Sequence, residues 1–256
     1  MELRYWDMHV HLDFMREPTA VSSEAAELGL GMFAVTVTPG GYEKTTRELA
    51  SAPNVRVGVG LHPWWVADGR CGAEVVDRAA KLARKARFVG EVGLDLSPKH
   101  VPTGSADGQV AALEKIARAC AETSEPTEPK LLSIHSVRAA GLTLDVLRRT
   151  GALDSCNCIF HWFSGTSDEL HRAVRAGCWF SINEMMLRTR RGREYARQLP
   201  ADRLLLETDL PPGEDVPFAA AEIVAQLGRT LNQLVTIRGT DISQLTCENA
   251  QHLMAH

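Results

Sequence analysis

Eight short apolar runs of strand type alternate with helix-like stretches from one end of this chain to the other. The runs are Arg4–His9, Gly31–Val37, Val55–Gly60, Ala86–Glu91, Lys130–His135, Cys156–His161, Gly177–Ile182 and Leu204–Asp209. Helical periodicity covers Glu74–Arg87, Gln109–Thr123, Ala139–Arg149 and Asp168–Ala176. Strands that are apolar on both faces and separated by helices bury themselves as a parallel sheet, and eight such units read as an α/β chain of the (β/α)8 TIM-barrel class. A length of 256 residues suits that class, and no Gly/Ser linker, repeat or low-complexity tract divides it, so one domain over residues 1–256 is expected. Ser97–Gly108, with two prolines and two glycines, is predicted to be a long loop after the fourth strand, overhanging the strand ends.

Composition narrows the class further. The charged fraction is 23% and the hydrophobic fraction 45%, the balance of an ordinary globular protein. No window reaches the ~18 apolar residues of a membrane span, and the first residues lack signal-peptide organisation, so a cytoplasmic chain without a membrane partner is expected. The six cysteines have no paired CxxC spacing; they read as reduced thiols, with Cys156, Cys158 and Cys178 in strands. A formal net charge of −4 argues against a broad nucleic-acid coat, but it does not exclude a phosphate held in a pocket made locally positive by divalent ions.

Five of the runs end in chemistry-bearing side chains: His9 with His11 just beyond, Glu91, His135, His161 and Asp209. In a (β/α)8 barrel these C-terminal strand ends form the active site. His9 and His11 are two apart, so in extended chain both point to one face and can bind one ion. Such a pair alone is a weak signal, strengthened here by Asp7 before it and Asp209 at the last strand end. Glu91 sits inside an apolar run, where an unpartnered carboxylate is very costly, which favours a metal over a core salt bridge. His135 and His161 taken singly read as core histidines; with Glu91 they make a second ion reasonable. Asp209 can hold a metal and accept a proton from water, so Asp209 and Glu91 are the candidate catalytic residues. The cofactor expectation is two divalent ions: Mg²⁺ or Mn²⁺ suits phosphate chemistry, Zn²⁺ suits four imidazoles.

Other residues carry two readings each. Asp95 is either a ligand or the cap of a turn. His62 either binds phosphate or orients a ligand, or it packs in a loop beside Trp64 and Trp65. His100, His171, His252 and His256 read as surface residues. Arg188, Arg190, Arg191 and Arg193 cluster at a predicted helix start, an unfavourable place for cations that an anion would relieve. A nucleic-acid backbone is one such anion; pairing with Glu184 and Glu194 is the plainer alternative. Trp64, Trp65, Trp162 and Phe163 follow strand ends and either stack on bases or pack loops.

Seven ordered motifs resemble the TatD family of metal-dependent deoxyribonucleases, in the amidohydrolase-like barrel superfamily. They are Asp7-Met8-His9-Val10-His11-Leu12-Asp13, Gly60-Leu61-His62-Pro63-Trp64, Gly90-Glu91-Val92-Gly93-Leu94-Asp95, Ile134-His135-Ser136, Phe160-His161-Trp162-Phe163-Ser164-Gly165, Leu206-Glu207-Thr208-Asp209 and Asn249-Ala250. The resemblance implies one ion on His9, His11, Glu91 and Asp209, a second on Glu91, His135 and His161 with Glu91 bridging, and phosphodiester hydrolysis of DNA, typically 3′ to 5′. The residues expected to contact DNA are Arg138, the counterpart of the family's arginine after His-Ser, together with His62, Trp162, Arg190 and Arg191. The chain departs from the family where Val137 pushes the expected arginine one place on to Arg138, and where Asp209-Leu210-Pro211-Pro212 replaces the usual Asp-Ser-Pro-Tyr. The segment Phe180–Met186 replaces the family's strand-seven Ser-Gly pattern. Ile134–Ala139, His161–Gly165 and Phe180–Asn183 resemble the TatD-like nuclease of the Qat anti-phage systems, QatD, which implies Qat protein partners and a role in bacterial immunity. Two rivals stand beside the nuclease: a hydrolase of a small amide, lactone or ester on the same barrel, and a non-catalytic subunit of a defence complex. Many barrels of the first kind carry a carbamylated lysine where Glu91 stands, which favours phosphodiester chemistry.

Overall fold

The computed structural model describes residues 3–99 and 101–255; His100 and His256 lie outside the described residues. Among the described residues nine strands follow one another as β1 (Tyr5–Val10), β2 (Leu30–Ala34), β3 (Val55–Val57), β4 (Val59–Leu61), β5 (Phe88–Asp95), β6 (Leu131–Val137), β7 (Asn157–His161), β8 (Trp179–Ile182) and β9 (Leu204–Leu206). The chain forms two compact units. The first takes the residues up to Val35, Glu43–Val57 and those from Phe180 on; the second takes Thr36–Tyr42 and Gly58–Trp179.

In the first unit β1, β2 and β3 pair in parallel, with Tyr5 opposite Leu30 and Met32 opposite Val55. β8 and β9 form a second parallel pair. Beyond the last ladder residues the end of β1 is stitched to the segment after β9: Asp209 N donates to His9 O at 2.9 Å and His11 N to Leu210 O at 2.8 Å. All of Trp6–Val10 is buried, so β1 is covered on both faces, as parallel strands are. Trp6, Met8 and Val10 point one way and Asp7 and His9 the other. Asn54 ties strand to helix by donating to Ser22 O and Leu30 O. Asn249, on the helix Ser243–Met254, donates to Ala201 O and Leu204 O and fixes the start of β9.

In the second unit β4, β5, β6 and β7 pair in parallel, with Leu61 opposite Val92, Gly93 opposite His135 and Ile134 opposite Phe160. The helix Ala106–Ala121 buries Gln109, Ala112, Leu113, Ile116, Ala117 and Cys120, the three-and-four spacing of an apolar stripe. Close approach at β5 needs glycine. Gly93 has φ 150°, and a Cβ on it would lie 2.0 Å from His135 O on β6.

Several expected boundaries move. The third run is two strands, because the Thr36 hydroxyl donates to Gly58 O at 2.8 Å and accepts from Gly60 N at 3.1 Å, replacing ladder bonds at the break. The fourth run does not stop at Glu91: a register shift between Val89 and Val92 lets β5 continue to Asp95. His135 likewise sits two residues before the end of β6, and Asp209 stands three residues beyond β9. The long loop ends at Ser105, since Asp107 and Gly108 enter the first turn of a helix. Of the cysteines expected in strands only Cys158 is in one, and all six are free thiols. Among the described residues no helix is long and apolar enough to cross a membrane.

Replacing Gly93 by Ala should destabilise the protein by about 1–3 kcal/mol, because neither β5 nor β6 backbone can give way. A lowered urea midpoint without a change in slope is the expected reading.

Candidate metal centre

In the second unit one carboxylate is surrounded by imidazoles. Glu91 is 2% exposed, and its Oε1 lies 2.7 Å from His135 Nδ1, 2.9 Å from His161 Nε2 and 3.5 Å from His62 Nε2. His135 Nδ1 and His161 Nε2 are 3.3 Å apart. Ligand atoms each ~2.1 Å from a single ion lie roughly 3.0–3.4 Å from one another in octahedral or tetrahedral geometry. The Glu91, His135 and His161 atoms have the chemistry of ligands to one divalent ion and lie within a few tenths of an ångström of that spacing.

His62 stands differently, although its ligand atom also lies within 4.8 Å of those of Glu91 and His135. Its Nδ1 accepts from Trp64 N at 3.2 Å, capping the helix Pro63–Ala67. A neutral ring that accepts at Nδ1 carries its proton at Nε2, the atom facing Glu91. His62 is thus a donor toward that carboxylate and whatever it binds, and its edge-on contacts with Trp64 and Trp65 hold the ring. Of the two sequence readings of His62, the structure shows the packing beside Trp64 and Trp65.

Asp95 is more than the cap of a turn. Its Oδ1 does accept from Ser97 N at 2.7 Å, but its Oδ2 lies 3.1 Å from His135 Nε2 and accepts from Trp64 Nε1 at 2.7 Å. Gln109 clamps the Asp95 backbone, donating to its O and accepting from its N, both at 2.8 Å. With Nε2 bonded to this fixed carboxylate, His135 is turned so that Nδ1 faces Glu91 and His161. Burial would raise the Asp95 pKa, but hydrogen bonds from His135, Ser97 and Trp64 outweigh it and hold the carboxyl well below its usual range. Burial would lower the His135 pKa; the Asp95 and Glu91 hydrogen bonds, with the Glu91 charge, outweigh that and raise it. A metal ion would displace a proton here.

The first unit carries its own cluster. Asp209 Oδ1 lies 3.7 Å from His9 Nε2 and 3.5 Å from His11 Nε2, a spacing two imidazoles and a carboxylate reach around a shared ion with wider ligand angles. The backbone bonds between the end of β1 and residues 209 and 210 set this proximity. His11 is flanked by Asp13, whose Oδ1 is 3.7 Å from Nδ1, and by Phe14, stacked at 4.8 Å and 13°. Behind them Asp7, fully buried, accepts from His9 N at 3.1 Å, from Thr208 N at 3.0 Å and from the Thr208 hydroxyl. Burial pushes Asp7 up from 3.8 to about 7, against those hydrogen bonds and with help from the nearby Glu207 charge. Glu207 is buried too, and accepts from the Ser181 hydroxyl and from Asn183 Nδ2.

Sequence reasoning missed the supporting roles of Asp95, Asp13, Glu207 and Asn183. Only for Asp95 was a signal present, since residues 91, 93 and 95 share a face of an extended strand. The other substrate candidates stand at strand ends. Arg138 is exposed just after β6 and Trp162 half-buried just after β7. Both, like Asp209, have left-handed backbone, at φ 54°, 40° and 60°. Arg190 and Arg191 open the helix Arg190–Gln198 and are exposed; His171 and His252 are exposed as expected.

An α/β chain with carboxylate–imidazole clusters at the ends of parallel strands belongs to the metal-dependent hydrolase class. The family described as TatD related DNase matches residues 6–255, and the chain belongs to that family. It is 30% identical over 259 residues to the 3'-5' ssDNA/RNA exonuclease TatD of Enterobacter lignolyticus, covering 95% of each chain. It is 32% identical over 124 residues to the Deoxyribonuclease TATDN3 of Homo sapiens, a stretch spanning 48% of this chain and 42% of that protein. The solved structure of YJJV, a TATD homolog from Escherichia coli, superposes with a TM-score of 0.80 at 21% identity, covering 99% of this chain and 98% of that one. The fold class is the expected one, α/β and TIM-barrel amidohydrolase-like.

Two outcomes follow for the centre. Trp64→Phe, which removes the indole N–H and keeps the ring, and Asp95→Asn should each weaken divalent metal binding about 10–100-fold by titration calorimetry, with little change in melting temperature. In EDTA, Asp7 keeps its proton in the fold up to about pH 7, whereas the unfolded chain releases it near 3.8. Its contribution is fully present below the unfolded value and is lost as pH rises through about 7. Urea midpoints measured across that window should fall with rising pH, and Asp7→Asn should flatten the fall.

Proposed function

We propose that this chain is a metal-dependent deoxyribonuclease, acting as one TatD-like domain over residues 1–256 and removing nucleotides from the 3′ end of DNA. The observation that carries this reading is the set of Glu91, His135 and His161 ligand atoms spaced 2.7–3.3 Å apart, each the right donor for a divalent ion. In the proposal His135, His161 and Glu91 are one ligand set, and His9, His11 and Asp209 another. The ions are Mg²⁺, Mn²⁺ or Zn²⁺; when bound they polarise the scissile phosphate, make water acidic enough to attack and stabilise the leaving oxygen.

The chain's own residues supply the rest. Asp209, 25% exposed at its side chain, accepts the proton of the attacking water. His62 Nε2–H, directed toward Glu91, donates to a phosphate oxygen. Asp95 and Trp64 keep the His135 ring turned so that Nδ1 is presented. Arg138 and Trp162, at neighbouring strand ends, meet a phosphate and a base, and Arg190 and Arg191 meet the backbone. Resemblance of Phe180–Asn183 and its companion motifs to QatD supports a role as the nuclease of a Qat anti-phage system, with other Qat proteins as partners.

The test is hydrolysis of 3′- and 5′-labelled oligonucleotides with each metal and with EDTA, beside Asp209→Asn and a His135→Ala/Asp209→Asn double variant. Metal-dependent cleavage that begins at the 3′ label, reduced at least ~10³-fold by Asp209→Asn with the fold retained, is the expected result. Undiminished cleavage by Asp209→Asn would remove the base assignment. A folded, metal-loaded protein that leaves DNA intact would shift the reading to small-molecule ester or amide hydrolysis.

A further inference from the structure

On the surface of the first unit four neighbouring guanidinium groups are left without a carboxylate. Several surface arginines elsewhere do meet carboxylates: Arg16 meets Asp215, Arg70 meets Asp68, Arg84 meets Glu122 and Arg172 meets Asp145. Arg188, Arg190, Arg191 and Arg193 are all exposed, and among the described residues none has an ion-pair partner. The two acids beside them in sequence are turned away. Glu184 pairs with Arg229 at 3.3 Å, and Glu194 accepts from Arg197 and Gln198, both at 2.6 Å. The plainer sequence reading, that these two acids neutralise the cluster, is therefore corrected.

The arrangement is also rigid. Gly192, Tyr195 and Ala196 face inward from the helix Arg190–Gln198, so Arg190, Arg191 and Arg193 fan across its outer side. A Cβ on Gly192 would lie 2.0 Å from Met186 O, which shows how closely this helix is folded onto the preceding turn Glu184–Leu187. Thr189 completes the joint, its hydroxyl donating to Met186 O at 3.0 Å and accepting from Gly192 N at 2.9 Å. Met185, on that turn, is one of two exposed large hydrophobic side chains among the described residues, at 41%. Asn183 then links the assembly to the strand end: its Oδ1 accepts from Met186 N and its Nδ2 donates to Glu207, two residues before Asp209, both at 2.8 Å.

Three cations in the first turn of a helix, with no acid to balance them, work against that helix, so local stability does not account for them. We propose that Arg188, Arg190, Arg191 and Arg193, with Met185, form a binding surface for the sugar–phosphate backbone of single-stranded nucleic acid beside the Asp209 strand end. Phosphates neutralise the guanidinium groups, and the unbranched Met185 side chain lies against an unstacked base, a face that a duplex does not offer. Such a surface acts on strand capture rather than on the chemical step. This inference deepens the nuclease reading, but it needs no turnover to be seen.

The experiment is anisotropy of a labelled oligothymidylate in EDTA over a salt series, with wild type, Arg190→Gln/Arg191→Gln and Arg190→Glu/Arg191→Glu. The neutral double variant should bind at least about tenfold more weakly at low salt, with a log–log salt slope shallower by about 1.4, two phosphates at ~0.7 each. The charge reversal should bind more weakly still while its melting temperature stays equal to wild type or rises, because acids suit a helix start. An unchanged slope would overturn the proposal. So would displacement of the oligonucleotide by a short polyglutamate at equal charge, which would assign the surface to an acidic protein. Absence of metal-dependent cleavage in the separate nuclease assay would sink the enzymatic reading and leave this binding result standing.

Discussion

A buried carboxylate must be answered by donors or by a cation, and that requirement organises both halves of this molecule. Glu91 is answered by imidazoles on β6 and β7, and the imidazole nearest to it is answered in turn by Asp95. Asp7 and Glu207, both without measurable exposure, are answered by Thr208, by the His9 backbone, and by Ser181 and Asn183. The result is layered. Carboxylates that face the ligand atoms have imidazoles as neighbours, while those behind are held by hydroxyls, amides and backbone.

The candidate ligand residues stand out in the sequence because their positions follow from strand geometry. A side chain at the end of an apolar run in a βα chain has only one place to go, and His9, His11, His135, His161 and Asp209 all obey that rule. The fold class was legible for the same reason, since the alternation of periods leaves few architectures. Boundaries were less so. Where β5 ends depends on a register shift, and where the third run breaks depends on one threonine hydroxyl inserted into the ladder. Neither leaves a mark in hydrophobic pattern.

The supporting residues were hardest to read, because their partners are remote in sequence. Asp95 acts through Trp64, 31 residues away, and through His135, 40 residues away. Glu207 is met by Ser181 and Asn183, 26 and 24 residues earlier. The arginine cluster was visible as composition, but whether Glu184 and Glu194 neutralised it was a question only side-chain direction could answer.

Arg138, Trp162 and Asp209 share an unusual backbone, φ between 40° and 60°, within three residues of a strand end. Glycine would adopt it freely, whereas a side chain there carries a conformational penalty of about 1 kcal/mol. A search for sturdier variants of this protein would accordingly be drawn to those positions first, and would strip away their side chains in exchange for rigidity. Thermostability selection and retention of the strand-end side chains thus pull in opposite directions at the same three residues.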